Sequence, residues 1–301
     1  MFCPHLLLLV LGAVSVMSAP HLAQRAGTQV TDTEVLQYAL TLENLENAFY
    51  SEGLAKLDEQ AFADAGYEPW VRARFEQIKG HEQTHVDALK AALGDQAVEP
   101  CTYTFPYNDP KSFAALSMAL ESVGASAYLG AASLISDKST LTTAASILGV
   151  ESRQAAWVSS AVLKGLAWNG PFDTPLTIDG VYSLASQFIV SCPDSNPKLP
   201  VTTLPKLAIL PSTPQAKETV TFQFKREDIQ AGDAQLFVAW FDGITVQYSD
   251  LNGNQAVVPE GLQGTVYGAL VKSKEGAPTE QEILTGLVMF EIGFPSYATN
   301  T

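Results

Sequence analysis

Four stretches of the chain place apolar residues three and four positions apart, the spacing that lines one face of an α-helix. Leu36, Leu40, Glu43, Tyr50 and Leu54 form the first stripe, and Phe75, Ile78, Glu82, His85 and Leu89 the second. The third is Met118, Glu121, Ala125, Tyr128 and Ile135; the fourth is Ala144, Ile147, Glu151, Gln154, Val158 and Val162. Local signals bound them. Thr31-Asp32-Thr33-Glu34 opens a helix that runs to about residue 57, and Pro69 opens one that stops at Gly94. Asp109-Pro110 caps the third, and the fourth runs over about 141–163. The Pro- and aromatic-rich segment 99–110 is too irregular for a helix and has the length of a crossover along a bundle. Asp179 leads into a short fifth helix over 181–190.

Beyond residue 199 the period changes. Pro200, Pro205, Pro211 and Pro214 mark an irregular lead-in, after which the runs 219–224, 234–241, 244–248, 264–271 and 284–292 read as strands. Asp242-Gly243 is a hairpin turn and Asn252-Gly253 a second turn signal. The pattern predicts an all-α four-helix bundle over 28–198, followed by a small all-β, sandwich-like domain over 205–301 that is separable near Leu199. Trp240, Phe241 and Tyr248 read as core or cross-strand packing rather than as a sugar platform. No cluster of His, Cys or paired carboxylates marks a site in the β-rich part.

The chemistry of the helical stripes is not that of an ordinary core. Each carries a Glu on its apolar seam, where Leu or Ala is the usual occupant. Glu43 is followed seven residues on by Tyr50, and Glu121 seven on by Tyr128; Glu82 is followed three on by His85, and Glu151 three on by Gln154. The chain is therefore two copies of a helix pair. An ionised carboxylate turned into a core needs a compensating group, and an inward Glu-x-x-His pair is half of a dinuclear carboxylate metal site. Glu46, Glu52 and Asp58 read as solvated, with Glu46 one turn from Glu43 and within reach of the same site. Arg153 either points to solvent or pairs with Glu151.

Composition narrows the setting. The 301-residue chain is 47% hydrophobic, enough for a full core and two domains, and carries a net charge of -15. Such acidity argues against binding nucleic acid or an anionic membrane. Residues 1–19 read as a signal peptide: an apolar run over 6–16 too short to span a bilayer, then small residues around Ser18-Ala19. The mature protein is expected to be secreted and soluble. Cys3 leaves with the signal, and Cys101 and Cys192 remain as a pair in an oxidising compartment, read as one disulfide.

The segment Leu-Glu-Asn-Leu-Glu-Asn-Ala-Phe-Tyr50, the Glu82/His85 pair, the Glu121 helix and Ile147-Leu-Gly-Val-Glu-Ser-Arg-Gln154 resemble the secreted branch of the ferritin-like superfamily. That branch includes fungal late-sexual-development and stress-response proteins and the desiccation-related proteins, and the similarity covers roughly residues 30 to 192. The resemblance implies a metal site in which Glu43, Glu82, His85, Glu121 and Glu151 hold two irons, with a second His at the position of Gln154. Here that position departs from the pattern, since an amide oxygen is a weaker donor than imidazole. Two metals with asymmetric ligation, one metal and none are all open at this point.

Two functions follow. One is a secreted metalloprotein holding iron or manganese for redox or sequestering work, with Tyr50 or Tyr128 as a supporting partner or radical site. The other is a non-catalytic extracellular scaffold whose β-rich domain binds a cell wall or another extracellular partner. Ferritin-type iron storage ranks below both, because the appended domain would obstruct a closed shell.

Overall fold

Side-chain caps set where the helices begin. In the computed structural model, which describes residues 30–293, helix α1 spans Asp32–Lys56 and opens on a capping box. Thr31 Oγ1 accepts from the Glu34 amide at 3.3 Å, and Glu34 Oε2 accepts from the Thr31 amide at 2.8 Å. A short α2 (Glu59–Asp64) precedes α3 (Pro69–Leu93), which has proline in its first turn. Asp109 caps α4 (Pro110–Ala131). Helix α5 (Lys138–Trp157) begins earlier than its apolar stripe indicates, because Asp137 Oδ1 accepts from the Thr140 amide at 2.7 Å. A π-helical turn, Val158–Val162, extends it. The segment expected to be a signal peptide lies outside the described residues.

Helix α1 packs mainly on α3 and α4 mainly on α5, the two repeated pairs. The crossover between the pairs is less irregular than its prolines suggest. Strand β1 (Thr102–Tyr103) pairs antiparallel with β2 (Ile189–Ser191), and the Cys101–Cys192 disulfide lies beside that pairing. This shortens the fifth helix: α6 covers Ile178–Ala185, and the residues expected to continue it instead make a single 3₁₀ turn and β2. Its cap is Thr177, whose Oγ1 accepts from the Gly180 amide at 3.1 Å. Asp179 instead accepts from the Thr202 amide at 2.7 Å, tying the proline-rich lead-in to the bundle.

The bundle is packed unevenly along its length. On one side of the carboxylate-bearing layer, Phe49, Tyr50, Phe62, Phe75 and Phe113 are fully buried and in edge or stacked contact, with Trp157 against Phe75. On the other side the apolar residues fall into two smaller groups, Leu40, Val86, Leu89, Leu93 and Val98, and Val35, Ala131, Ile135 and Ala144.

The β-rich part consists of two antiparallel sheets. One has strand order β3 (Ala208–Leu210), β4 (Thr219–Gln223), β7 (Gln255–Val257); the other is β6 (Thr245–Asp250), β5 (Phe237–Asp242), β8 (Gly264–Val271), β9 (Val288–Ile292). Strands β3 and β7 carry too little apolar alternation to stand out in the sequence. The β5–β6 hairpin turns at Asp242-Gly243, where Gly243 has φ 57°, a conformation glycine adopts without penalty. Val238 and Trp240 of β5 face the small sheet with Val220 and Phe222, while Ala239 and Phe241 face the helices. Tyr267, Ala269 and Val271 of β8 join Tyr38, Ala127, Leu176, Ile178 and Val181 in that second core. With both faces covered, every residue of β8 is buried. Trp240 and Phe241 are therefore core, as expected.

The shared core makes separation near Leu199 costly. Protein truncated after Leu199 is expected to expose Tyr38, Leu176, Ile178 and Val181, to keep its far-ultraviolet helical signal, and to bind a hydrophobic dye and melt well below the full chain. A truncated protein that melts as the full chain does would show the bundle to be self-sufficient. Replacing Cys101 and Cys192 together by Ala should destabilise the fold by about 4–5 kcal/mol on the loop-entropy account, measured by denaturant unfolding.

Candidate metal centre

The four seam glutamates converge. Glu43 comes from α1, Glu82 and His85 from α3, Glu121 from α4, and Glu151 from α5, and none of the carboxylates is more than 1% exposed. Ligand atoms of Glu43, Glu82, His85 and Glu151 all lie within 4.8 Å of one another. His85 Nδ1 is the hub: it is 3.2 Å from Glu82 Oε2, 3.3 Å from Glu43 Oε2 and 3.5 Å from Glu151 Oε1. Glu121 stands just outside this set, and Gln154 reaches it through Glu82, its Nε2 donating to Glu82 Oε1 at 2.7 Å.

The repeat seen in the sequence becomes a crossed pair of hydrogen bonds. Tyr50 of α1 donates to Glu121 of α4, and Tyr128 of α4 donates to Glu43 of α1. Ser117, one turn before Glu121, shares the Tyr50 hydroxyl at 2.7 Å. Each tyrosine thus fixes the carboxylate of the opposite repeat. The second half of the repeat crosses likewise, with Gln154 of α5 on Glu82 of α3 and His85 of α3 beside Glu151 of α5.

Glu46 corrects the expectation that it is solvated: it is 5% exposed. Its signal was its position three residues after Glu43, the same seam one turn on. Room for it comes from Gly124 of α4. A Cβ on Gly124 would lie 2.5 Å from Glu151 Oε2 and 3.0 Å from Glu46 Oε1, so the glycine lets both carboxylates lie against the helix backbone. Arg153 is exposed, which places it in solvent rather than beside Glu151.

Five glutamates and one histidine in a buried layer leave a charge problem. Burial pushes Glu46, Glu121 and Glu151 well above the carboxylate range, with their glutamate neighbours adding to the rise. Burial also lifts Glu43 to about 7, although its hydrogen bond with His85 pulls the other way. For His85, burial favours the neutral ring, but hydrogen bonds with Glu43 and Glu82 outweigh it and raise the pKa to about 10. The protein without metal therefore meets the burden with protons and one imidazolium. Neither oxygen of Glu151 accepts a hydrogen bond, and Glu121 Oε2 and Gln154 Oε1 are also buried without a partner. Buried acceptors without a donor, beside the Glu43, Glu82, His85 and Glu151 cluster, are compatible with a cation.

Residues 31–164 match the family model described as Ferritin-like domain. The helical region carries a ferritin-like domain. The chain is also 26% identical over 183 residues to Protein rds1 of Schizosaccharomyces pombe, a match covering 60% of this chain and 44% of that relative. The chain thus spans less than half the length of the relative. The ferritin-like match ends just past the π-helical turn, and the β-rich part lies beyond it.

The charge balance has a pH signature. Glu43 and His85 both have folded pKa values raised above the ordinary ones, so their contribution to stability is full at low pH and lost as pH rises through about 7 and then about 10. The helix-capping Asp109 and Asp137 are shifted down, Asp137 to about 2, and weaken the fold only in strong acid. Metal-free protein should therefore melt several degrees lower at pH 8 than at pH 5, and a bound divalent metal should remove that slope. Equal melting temperatures at the two pH values without metal would contradict it.

Proposed function

We propose that the ferritin-like domain binds iron or manganese, with Glu43, Glu82, His85 and Glu151 holding one ion and Glu121 and Gln154 completing a second, weaker position. The observation that carries this reading is Glu151: both its oxygens are buried without a hydrogen bond, and one ligand oxygen lies within 4.8 Å of ligand atoms of Glu43, Glu82 and His85. Four ionised carboxylates balance the charge of two divalent ions, and imidazole with carboxylate suits iron and manganese. When bound, the metal would supply redox change or simple sequestration. The chain's own residues would fix its donors: Tyr128 orients Glu43, Tyr50 orients Glu121, and Gln154 orients Glu82. The aromatic packing beneath the layer keeps water from that side.

This reading places the protein outside the cell. The disulfide suits an oxidising compartment, and no helix among the described residues is long and apolar enough to cross a membrane. A role in development or stress is what the family resemblance suggests. The second reading, a metal-free extracellular scaffold, is supported by Gln154, whose amide hydrogen bond to Glu82 does part of the work a metal would do. In that reading the β-rich domain carries the contacts to a cell wall or other partner.

Metal analysis of protein purified without chelator separates the two. Wild type should carry iron or manganese, and Glu82→Ala should lose it. The imidazole of Gln154→His should raise the metal content towards two ions per chain, because a nitrogen donor replaces the amide. If folded Gln154→His holds no more metal than wild type, the second position is not a latent metal site. If wild type holds none after loading with either ion, the scaffold reading is preferred.

A further inference from the structure

The side of the bundle without the aromatic plug contains a cavity of about 100 Å³. Six alanines, Ala39, Ala88, Ala92, Ala127, Ala131 and Ala144, contribute to its wall, drawn from all four long helices. Ala88, Ala92 and Thr143 are exposed and form its mouth between α3 and α5. Glu43, Glu46 and Tyr128 form its inner end. The cavity separates the two small apolar groups on this side of the carboxylate layer, being lined by Leu89 of one and by Val35, Ile135 and Ala144 of the other. Protein interiors are close-packed, and the other side of this same layer is filled with phenylalanines, so the alanine lining is a local departure with a consistent direction.

We propose that this cavity binds a small apolar molecule carrying a hydrogen-bond donor, an alcohol or amine on a short hydrocarbon body, with its head against Glu43 and Glu46. The walls can offer only dispersion and desolvation to the body. The inner end offers carboxyl oxygens, which accept from a hydroxyl or an ammonium, and among the described residues no basic side chain lines it to hold an anion. An engineered apolar cavity of roughly 150 Å³ holds benzene, with six carbons, so the volume of about 100 Å³ here suits a body of about four carbons. The use of such a ligand as a substrate rests on the metal reading above; its binding does not, since no metal is needed to form the walls or the head-group contacts.

The test is titration calorimetry of metal-free full-length protein with 1-butanol, butylamine and butanoate. Butanol and butylamine should bind one per chain, and butanoate at least tenfold more weakly. Ala144→Leu fills the cavity and Ala88→Trp, at an exposed position, covers its mouth; each should weaken butanol binding at least tenfold with the helical signal unchanged. No saturable butanol binding to folded wild type would overturn the proposal. So would equal butanol affinity in folded Ala144→Leu and Ala88→Trp, and butanoate binding as tightly as butanol would overturn the head-group assignment. Protein that holds metal but takes no butanol defeats this inference alone, whereas protein that takes butanol but no metal supports it and defeats the metal reading.

Discussion

Burial of five carboxylates in one layer is the constraint that the bundle is built around. Each ionised glutamate taken from water without compensation would cost several kcal/mol, more in sum than a domain's whole stability of about 5–15 kcal/mol. The structure answers with a single basic side chain, His85, held near three carboxylates at once, and with tyrosine hydrogen bonds that run between the repeats. The crossing matters mechanically. Tyr50 and Tyr128 lock α1 to α4, two helices that otherwise touch far less than the α1–α3 and α4–α5 pairs do. The polar layer is therefore also the seam along which the two halves of the bundle are joined.

Around that layer the packing is deliberately unlike on its two sides. Phenylalanine fills one, and alanine leaves space in the other. Unfilled apolar volume of about 100 Å³ would cost roughly 2 kcal/mol at ~24 cal/mol per Å³. A fold that retains it alongside the charge burden of the layer gives up stability at the one place where the chemistry is concentrated. Gly124 belongs to the same pattern: any side chain there would meet Glu151 and Glu46.

Much of this was legible in the residues, and the exceptions have physical causes. The helices were visible because their caps and seams are local, and the carboxylate layer because Glu on an apolar stripe is conspicuous. Glu46 was harder, since a second Glu three residues on is equally at home on a solvated face; only Gly124, on a distant helix, decides that it turns inward. The end of α6 was misread because its residues are tolerable helix formers, and what stops them is pairing with Thr102 and Tyr103, 86 or more residues earlier (189 minus 103). The core shared by the bundle and the β-rich part is hidden for a similar reason. Strand β8 reads as a strand, but nothing in its own sequence says that one of its faces is covered by α4 and α6.

That last feature bears on how the chain is made. The helices emerge first, and the face formed by Tyr38, Ile178 and Val181 has no cover until β8 and β9 have been synthesised. At a synthesis rate of about 5–20 residues per second, the hundred or so residues after Leu199 take roughly 5–20 s to appear. For that interval the nascent bundle presents a sticky apolar surface, and its safe passage depends on whatever chaperones meet it before its own last strands arrive.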